Sequence, residues 1–169
     1  MVPLGLQYPL HPLPSKMRVA NFPSAFNSYK PPEHKVYGCI CISPNNRILL
    51  VKGRQGQVWS FPKGHRERCD KTSLACALRE LKEETGIAIH CDYIACKRYK
   101  AGEYYIYQVP EEYRTFPQDS QEIEQAGWFT FEEMCDLKKN IDASLFCQHV
   151  QKKILQELES IPSSSSISA

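Results

Sequence analysis

The chain is expected to fold as an α/β domain, an α/β/α sandwich built on a mixed sheet. Three observations predict this: aromatic and β-branched runs bounded by turn residues, one amphipathic helix placed between them, and two helical segments after the last run. At 169 residues, with 42% apolar residues, the chain can bury a full core.

Residues 36–42 and 47–52 are strand-like and are joined by Ser43-Pro44-Asn45-Asn46, a turn by composition. That hairpin is the expected start of the sheet. Next comes Trp59-Ser60-Phe61-Pro62, a short aromatic strand that breaks at the proline into a basic loop. A helix is predicted over about 72–85, because Leu74, Leu78 and Leu81 recur at i, i+4 and i+7 with Ala75 and Ala77 beside them. Asp70 and Thr72 are available N-caps and Gly86 stands where a left-handed C′ residue is wanted. Residues 87–99 and 103–109 form a second strand pair around Ala101-Gly102, and 128–131 a last strand. Residues 131–138 and 143–159 read as helices, and no internal repeat is apparent.

The domain is expected to occupy residues 34–159. Residues 1–33 are proline-rich with little periodicity and read as an arm, and the serine-rich 160–169 as a disordered tail. Prolines at 3, 9, 12 and 14 interrupt the apolar N-terminus, which excludes a signal core or a membrane span there. Eight cysteines without a C-x-x-C pair read as reduced thiols, with Cys39 and Cys41 on one side of a strand and Cys76 inside the helix. A cytoplasmic location is expected, with the nucleus as an alternative. The net charge of +2 means that any anionic ligand must be recognised locally.

Chemistry concentrates in Arg79-Glu80-Leu81-Lys82-Glu83-Glu84-Thr85-Gly86-Ile87. At about 100° per residue, Glu80, Glu83 and Glu84 leave the helix within roughly 100° of one another. A glutamate-rich face is often only solvated. Three like charges on one turn nevertheless repel, and a divalent cation removes that penalty while gaining oxygen ligands. Upstream, the glycine-containing loop with Lys63, His65, Arg66 and Arg68 leads to a helix N-terminus, a place suited to an anion. Anion and cation together would bracket a diphosphate.

These residues resemble the box of the Nudix hydrolase family, G-x5-E-x7-R-E-U-x-E-E-x-G-U with U aliphatic. Arg79, Glu80, Leu81, Glu83, Glu84, Gly86 and Ile87 match every fixed position of its second half. Gly64 is the counterpart of the first glycine, but Gly64 to Arg79 is one residue longer than the pattern, so the isolated glutamate falls on Asp70 or Lys71. Asp70 is the better chemical substitute, since it keeps a carboxylate at the helix start.

The resemblance, over roughly 34–159, implies the α/β/α Nudix sandwich and a Mg²⁺- or Mn²⁺-dependent pyrophosphohydrolase that cleaves a diphosphate linkage. It implies Glu80, Glu83, Glu84 and the Gly64 carbonyl as metal ligands and Arg79 as the residue orienting the glutamates. A further carboxylate is expected before the aromatic pair Trp128-Phe129, with Glu122 preferred and Glu124 second. Glu84, Glu80 or Glu122 would act as base, and the sequence does not separate them. The run Trp-Ser-Phe-Pro-Lys-Gly-His is similar to mRNA-decapping and diadenosine tetraphosphate hydrolase members, which makes a nucleotide or capped RNA the expected substrate. Lys63, Arg54, His65 and Trp59 are then candidate substrate contacts, although Lys63 and Arg54 could equally be solvated. Tyr104, Tyr105 and Tyr107 could stack bases, but Tyr105 and Tyr107 alternate on a strand and fit the core better. Lys152 and Lys153 beside Gln148 and His149 form a modest basic patch, open to either an RNA backbone or plain solvent. Diphosphoinositol phosphates rank last among substrates, because the glycine triplet common in those enzymes is absent. The competing class is a non-catalytic Nudix-fold module binding a nucleotide or protein.

Overall fold

The computed structural model describes residues 36–159. The expected N-terminal arm and serine-rich tail lie outside the described residues. In chain order the elements are β1 (Val36–Ile42), β2 (Ile48–Gly53), β3 (Trp59–Ser60), β4 (Lys63–Gly64), α1 (Ser73–Thr85), β5 (Ala95–Arg98), β6 (Gly102–Gln108), β7 (Ile123–Phe129), α2 (Phe131–Asp136) and α3 (Ile141–Glu159).

The sheet is mixed, as expected. Its main path is β3-β2-β1-β6-β5, with β4 added to β1 and β7 to β2. β1 runs parallel to β6, from Val36 opposite Gly102 to Ile42 opposite Gln108, and the other pairings are antiparallel. Because side chains alternate across a strand, β1 feeds two cores. Cys39 and Cys41 join Leu49, Ala77, Leu81 and Tyr107 on the α1 side. Ile40 joins Leu50, Phe61, Met134 and Phe146 on the side of α2 and α3. Helices on both faces make this an α/β/α sandwich.

The ends of α1 follow from its own residues. Thr72 accepts a hydrogen bond from the Ala75 N–H at 3.0 Å, and Gly86 adopts φ 77° while its N–H reaches the Lys82 carbonyl. Leu81 is fully buried, and Leu74 and Leu78 pack against the same cluster, so the predicted stripe is the buried face. Each fully buried leucine contributes about 1.5–3 kcal/mol, which fixes how the polar face is aimed.

Several boundaries differ from the sequence reading, and the second helix ends at Asp136 rather than 138. Residues 87–94 are not strand: Ile87 and Ile89 pack under α1 without a ladder, and β5 begins only at Ala95. β7 starts at Ile123, well before Trp128, because its pairing to β2 is made by backbone and by a Lys52 to Glu124 ion pair at 3.2 Å. The last helix starts at Ile141 rather than 143. All eight cysteines are free thiols. No helix among the described residues is long and apolar enough to cross a membrane.

Candidate active site

The site is assembled where β4 meets α1. Pairing of Tyr37 with Gly64 and of Gly38 with Lys63 holds β4 on β1, and α1 packs across it. Glu84 points back at this short strand, and its Oε2 accepts the Lys63 N–H at 2.8 Å. Only 7% of Glu84 is exposed. Burial therefore dominates and pushes its carboxyl up to about 8, against the Lys63 hydrogen bond and charge, with Glu80 and Glu122 adding repulsion. Glu80 is raised as well, chiefly by burial, with Arg79 opposing and Glu83 and Glu122 adding.

Gly64 is glycine for a local reason. A Cβ there would run into the Glu80 carboxylate, so the strand backbone and that carboxylate lie in direct contact. Gly64→Ala is expected to push Glu80 out of place and lower any turnover at least tenfold while moving the unfolding midpoint little. Parallel activity and denaturation curves check this.

Arg79 organises the carboxylates. Its Nη1 lies 2.9 Å from Glu80 Oε1 and 2.8 Å from Glu83 Oε2, and its Nη2 lies 2.9 Å from Asp70 Oδ2. Nη2 also donates to the His65 carbonyl at 2.9 Å. Asp70 is 7% exposed and takes a second hydrogen bond from Arg79 Nε at 3.1 Å. Arg79 thus holds the Asp70 carboxyl below its ordinary range. The longer loop is accommodated here: the Asp70 N–H bonds the Glu67 carbonyl at 3.1 Å, and the Asp70 side chain accepts the Glu67 N–H at 2.8 Å. The turn takes up the extra residue and delivers a carboxylate to Arg79, and Lys71 stays exposed.

Of the loop cations, Arg66 is turned onto the backbone, donating to the carbonyls of Asp70 and Lys71. His65 and Arg68 are exposed and Lys63 is half-buried.

The later carboxylate sits on a loop tied to α1, where the Gln118 and Asp119 N–H groups donate to the Glu83 carbonyl at 2.8 and 3.1 Å. Asp119 Oδ1 accepts from Gln121 and Glu122, and the Glu122 carbonyl accepts the Arg54 N–H at 2.8 Å. The Glu122 charge is felt at both Glu80 and Glu84. Glu124, the second candidate, is instead paired with Lys52. Arg54 lies beside this loop, its Nε donating to the Ser120 carbonyl at 3.2 Å. Trp59 packs edge-on against Phe129, with ring centroids 4.7 Å apart, in the layer of α2 and α3. Tyr104, Tyr105 and Tyr107 are buried, as their alternation predicts.

Among the described residues, no three His, Cys, Asp or Glu side chains are grouped closely enough to hold a metal ion. By chemistry the nearby groups, the Glu80, Glu83, Glu84 and Glu122 carboxylates and the Gly64 carbonyl, are oxygen donors of the kind a hard divalent cation takes, and the Glu80 carboxylate packs on the Gly64 backbone too closely to admit a Cβ. Sequence reasoning missed the Lys63 N–H as the anchor of Glu84, since a backbone donor leaves no residue-type signature.

Known proteins place these residues in context. mRNA-decapping enzyme subunit 2 of Saccharomyces cerevisiae (strain YJM789) is 33% identical over 129 residues, which is 70% of this chain and 13% of that protein. The corresponding subunit of Arabidopsis thaliana is 45% identical over 65 residues, covering 38% of this chain and 17% of its own. The chain therefore spans only a small part of these relatives. Among solved structures, a C. elegans Ap4A hydrolase binary complex superposes with a TM-score of 0.56 at 19% identity, over 72% of this chain and 99% of that one, a likeness of fold. The NUDIX domain family model matches residues 32–148, spanning the sheet, α1 and its carboxylates, and the chain belongs to that family.

Proposed function

We propose that this chain is a Mg²⁺- or Mn²⁺-dependent pyrophosphohydrolase that cleaves a diphosphate linkage in a nucleoside-diphosphate-linked substrate, with capped RNA as its substrate class. The observation that carries the reading is the buried Glu84, held on the Lys63 N–H beside Glu80, with the Glu122 charge pressing on both. Burying a carboxylate among other carboxylates destabilises the metal-free fold, which marks a site built for chemistry.

In this reading Glu80, Glu83, Glu84 and the Gly64 carbonyl hold the cation, and Glu122 closes the site from the β6–β7 loop. When bound, the cation would neutralise charge on the diphosphate oxygens and increase the acidity of an attacking water. Glu84, whose Oε2 is fixed by the Lys63 N–H, is the first choice to take the water's proton, the cation being left to the other ligands in that role, and Glu122 is the second. Arg79 keeps Glu80 and Glu83 in place and is itself held by Asp70. Lys63, His65 and Arg54 flank the carboxylates as phosphate contacts, and Trp59 contributes only through the part of its ring left exposed.

Capped RNA is preferred because the relatives at 33% and 45% identity are decapping subunits. The test is product analysis with purified protein and Mg²⁺ on cap-labelled RNA, diadenosine tetraphosphate and a diphosphoinositol phosphate. Cleavage of the cap's diphosphate linkage supports the proposal, whereas turnover of only one of the other two would reassign the substrate. Binding without turnover on all three would make the chain a non-catalytic module.

A further inference from the structure

Of the four candidate carboxylates, Glu122 alone lies outside α1. Glu80, Glu83 and Glu84 are aimed by a helix whose buried face fixes them. Glu122 stands at the end of the loop between β6 and β7, where the chain keeps its freedom unless polar contacts remove it. Its charge nevertheless acts on both Glu80 and Glu84, so the loop is brought to the site.

Asp119 supplies most of the contacts that hold it there. Its Oδ1 accepts the Gln121 N–H at 3.0 Å and the Glu122 N–H at 3.1 Å, an aspartate turn closed directly on the backbone of the candidate ligand. Its carbonyl accepts the Ile123 N–H at 3.0 Å, which carries the turn into β7. Its own N–H donates to the Glu83 carbonyl at 3.1 Å. One residue therefore ties the backbone of Glu83 to the backbone of Glu122.

The other side of the loop is closed by Arg54, whose N–H donates to the Glu122 carbonyl and whose Nε donates to the Ser120 carbonyl. A bulge follows at once: Lys52 lies opposite Gln125 and Gly53 opposite Ile123, which leaves Glu124 as the extra residue on β7. Bulges beside active sites re-aim side chains, and this one sets the direction in which the chain leaves Glu122. With the bulge and Arg54 fixing the exit, the entry to Glu122 depends on a single side-chain oxygen, that of Asp119.

We propose that Asp119 is a positioning residue for Glu122, its Oδ1 fixing the Glu122 backbone while its N–H anchors the turn on Glu83, so that the loop carboxylate is held in register with those of α1. The proposal rests on the reading of Glu122 as part of the site. The role needs an acceptor oxygen and not a charge, which separates it from metal ligation or proton transfer by Asp119 itself.

The full chain is compared with Asp119→Ala, Asp119→Asn, Glu122→Gln and the double variant Asp119→Ala/Glu122→Gln. Mg²⁺-dependent cleavage of cap-labelled RNA gives kcat and KM, and amide exchange followed by NMR reports on Gln121 and Glu122. Asp119→Ala is expected to lower kcat at least about tenfold, as a misplaced reacting group does, with KM changed by less than about twofold. The Gln121 and Glu122 amides should exchange at least about tenfold faster, because both lose their acceptor. Asparagine keeps that oxygen, so Asp119→Asn should stay within about twofold of wild type in both readouts. In the Glu122→Gln background the alanine should cost less than about twofold more, since it acts through Glu122. A loss in Asp119→Asn equal to that in Asp119→Ala, a full further loss in the double variant, or unchanged amide exchange in Asp119→Ala would each overturn the proposal. If the wild type leaves capped RNA uncut, the capped-RNA reading fails, while the exchange rates still decide whether Asp119 holds Glu122.

Discussion

Glu84→Gln is expected to move stability and turnover in opposite directions. The wild-type carboxyl is raised from about 4.5 to about 8 by burial. As pH rises through this window the unfolded chain gives up its proton before the folded one does, so the folded state binds more protons and stability falls. Glutamine carries no such penalty and keeps an oxygen that can accept the Lys63 N–H. The metal-free variant is therefore expected to be more stable than wild type at pH 8, by up to a few kcal/mol, with the difference closing towards pH 4. Added Mg²⁺ should narrow the gap at pH 8, because binding to the folded state alone stabilises it. Turnover should drop by about 10²–10⁴-fold, the range for loss of a general base. Denaturation curves at pH 5 and pH 8, run beside an activity assay, check all three. A variant that is less stable than wild type at pH 8 would contradict the account of Glu84.

Asp70→Ala is expected to give the largest structural loss near the site. It removes a buried partner from Arg79, whose side chain is only 18% exposed, and leaves the guanidinium with Glu80 and with the more exposed Glu83 and Glu67. Breaking such a pair from one side costs more than the pair's net worth; allowing for the surviving partners, about 2–4 kcal/mol is expected, or on the order of 5–10 °C in melting temperature. Because Arg79 lowers the Asp70 pKa, this contribution is present above the ordinary value of 3.8 and is lost as pH falls through the lower folded value. The gap between wild type and variant should thus persist at pH 7 and shrink in acid. Turnover should fall as well, since Glu80 and Glu83 lose a fixed guanidinium, and Asp70→Glu should recover part of it. Equal melting temperatures at pH 7 would remove Asp70 from the scaffold of the site.

The sequence was most legible where local chemistry decides the structure. Thr72, Gly86 and the leucine stripe bound and orient α1 without outside help, and once its buried face is known the aim of Glu80, Glu83 and Glu84 follows. Long-range pairing was less legible. β7 hides in Glu124 and Gln125, polar residues whose strand conformation is imposed by the β2 ladder, and residues 87–94 look like a strand, yet Ile87 and Ile89 pack under α1. At the site, Asp70 was one of two alternatives for the irregular loop, and the Glu67–Asp70 turn separates them by burying the aspartate against Arg79. The sequence ranks Glu122 above Glu124, and in the structure Glu124 is engaged by an ion pair with Lys52.

The central claim is that the carboxylates of α1 and the Gly64 carbonyl form a divalent-cation site. Its most direct test is Mn²⁺ binding followed by electron paramagnetic resonance, comparing the wild type with the double variant Glu80→Gln/Glu83→Gln at matched folded fractions. The account predicts saturable binding by the wild type that weakens at least about tenfold in the variant, since two of its oxygen ligands have lost their charge. Equal Mn²⁺ affinity in the two proteins would place the cation elsewhere and contradict the assignment.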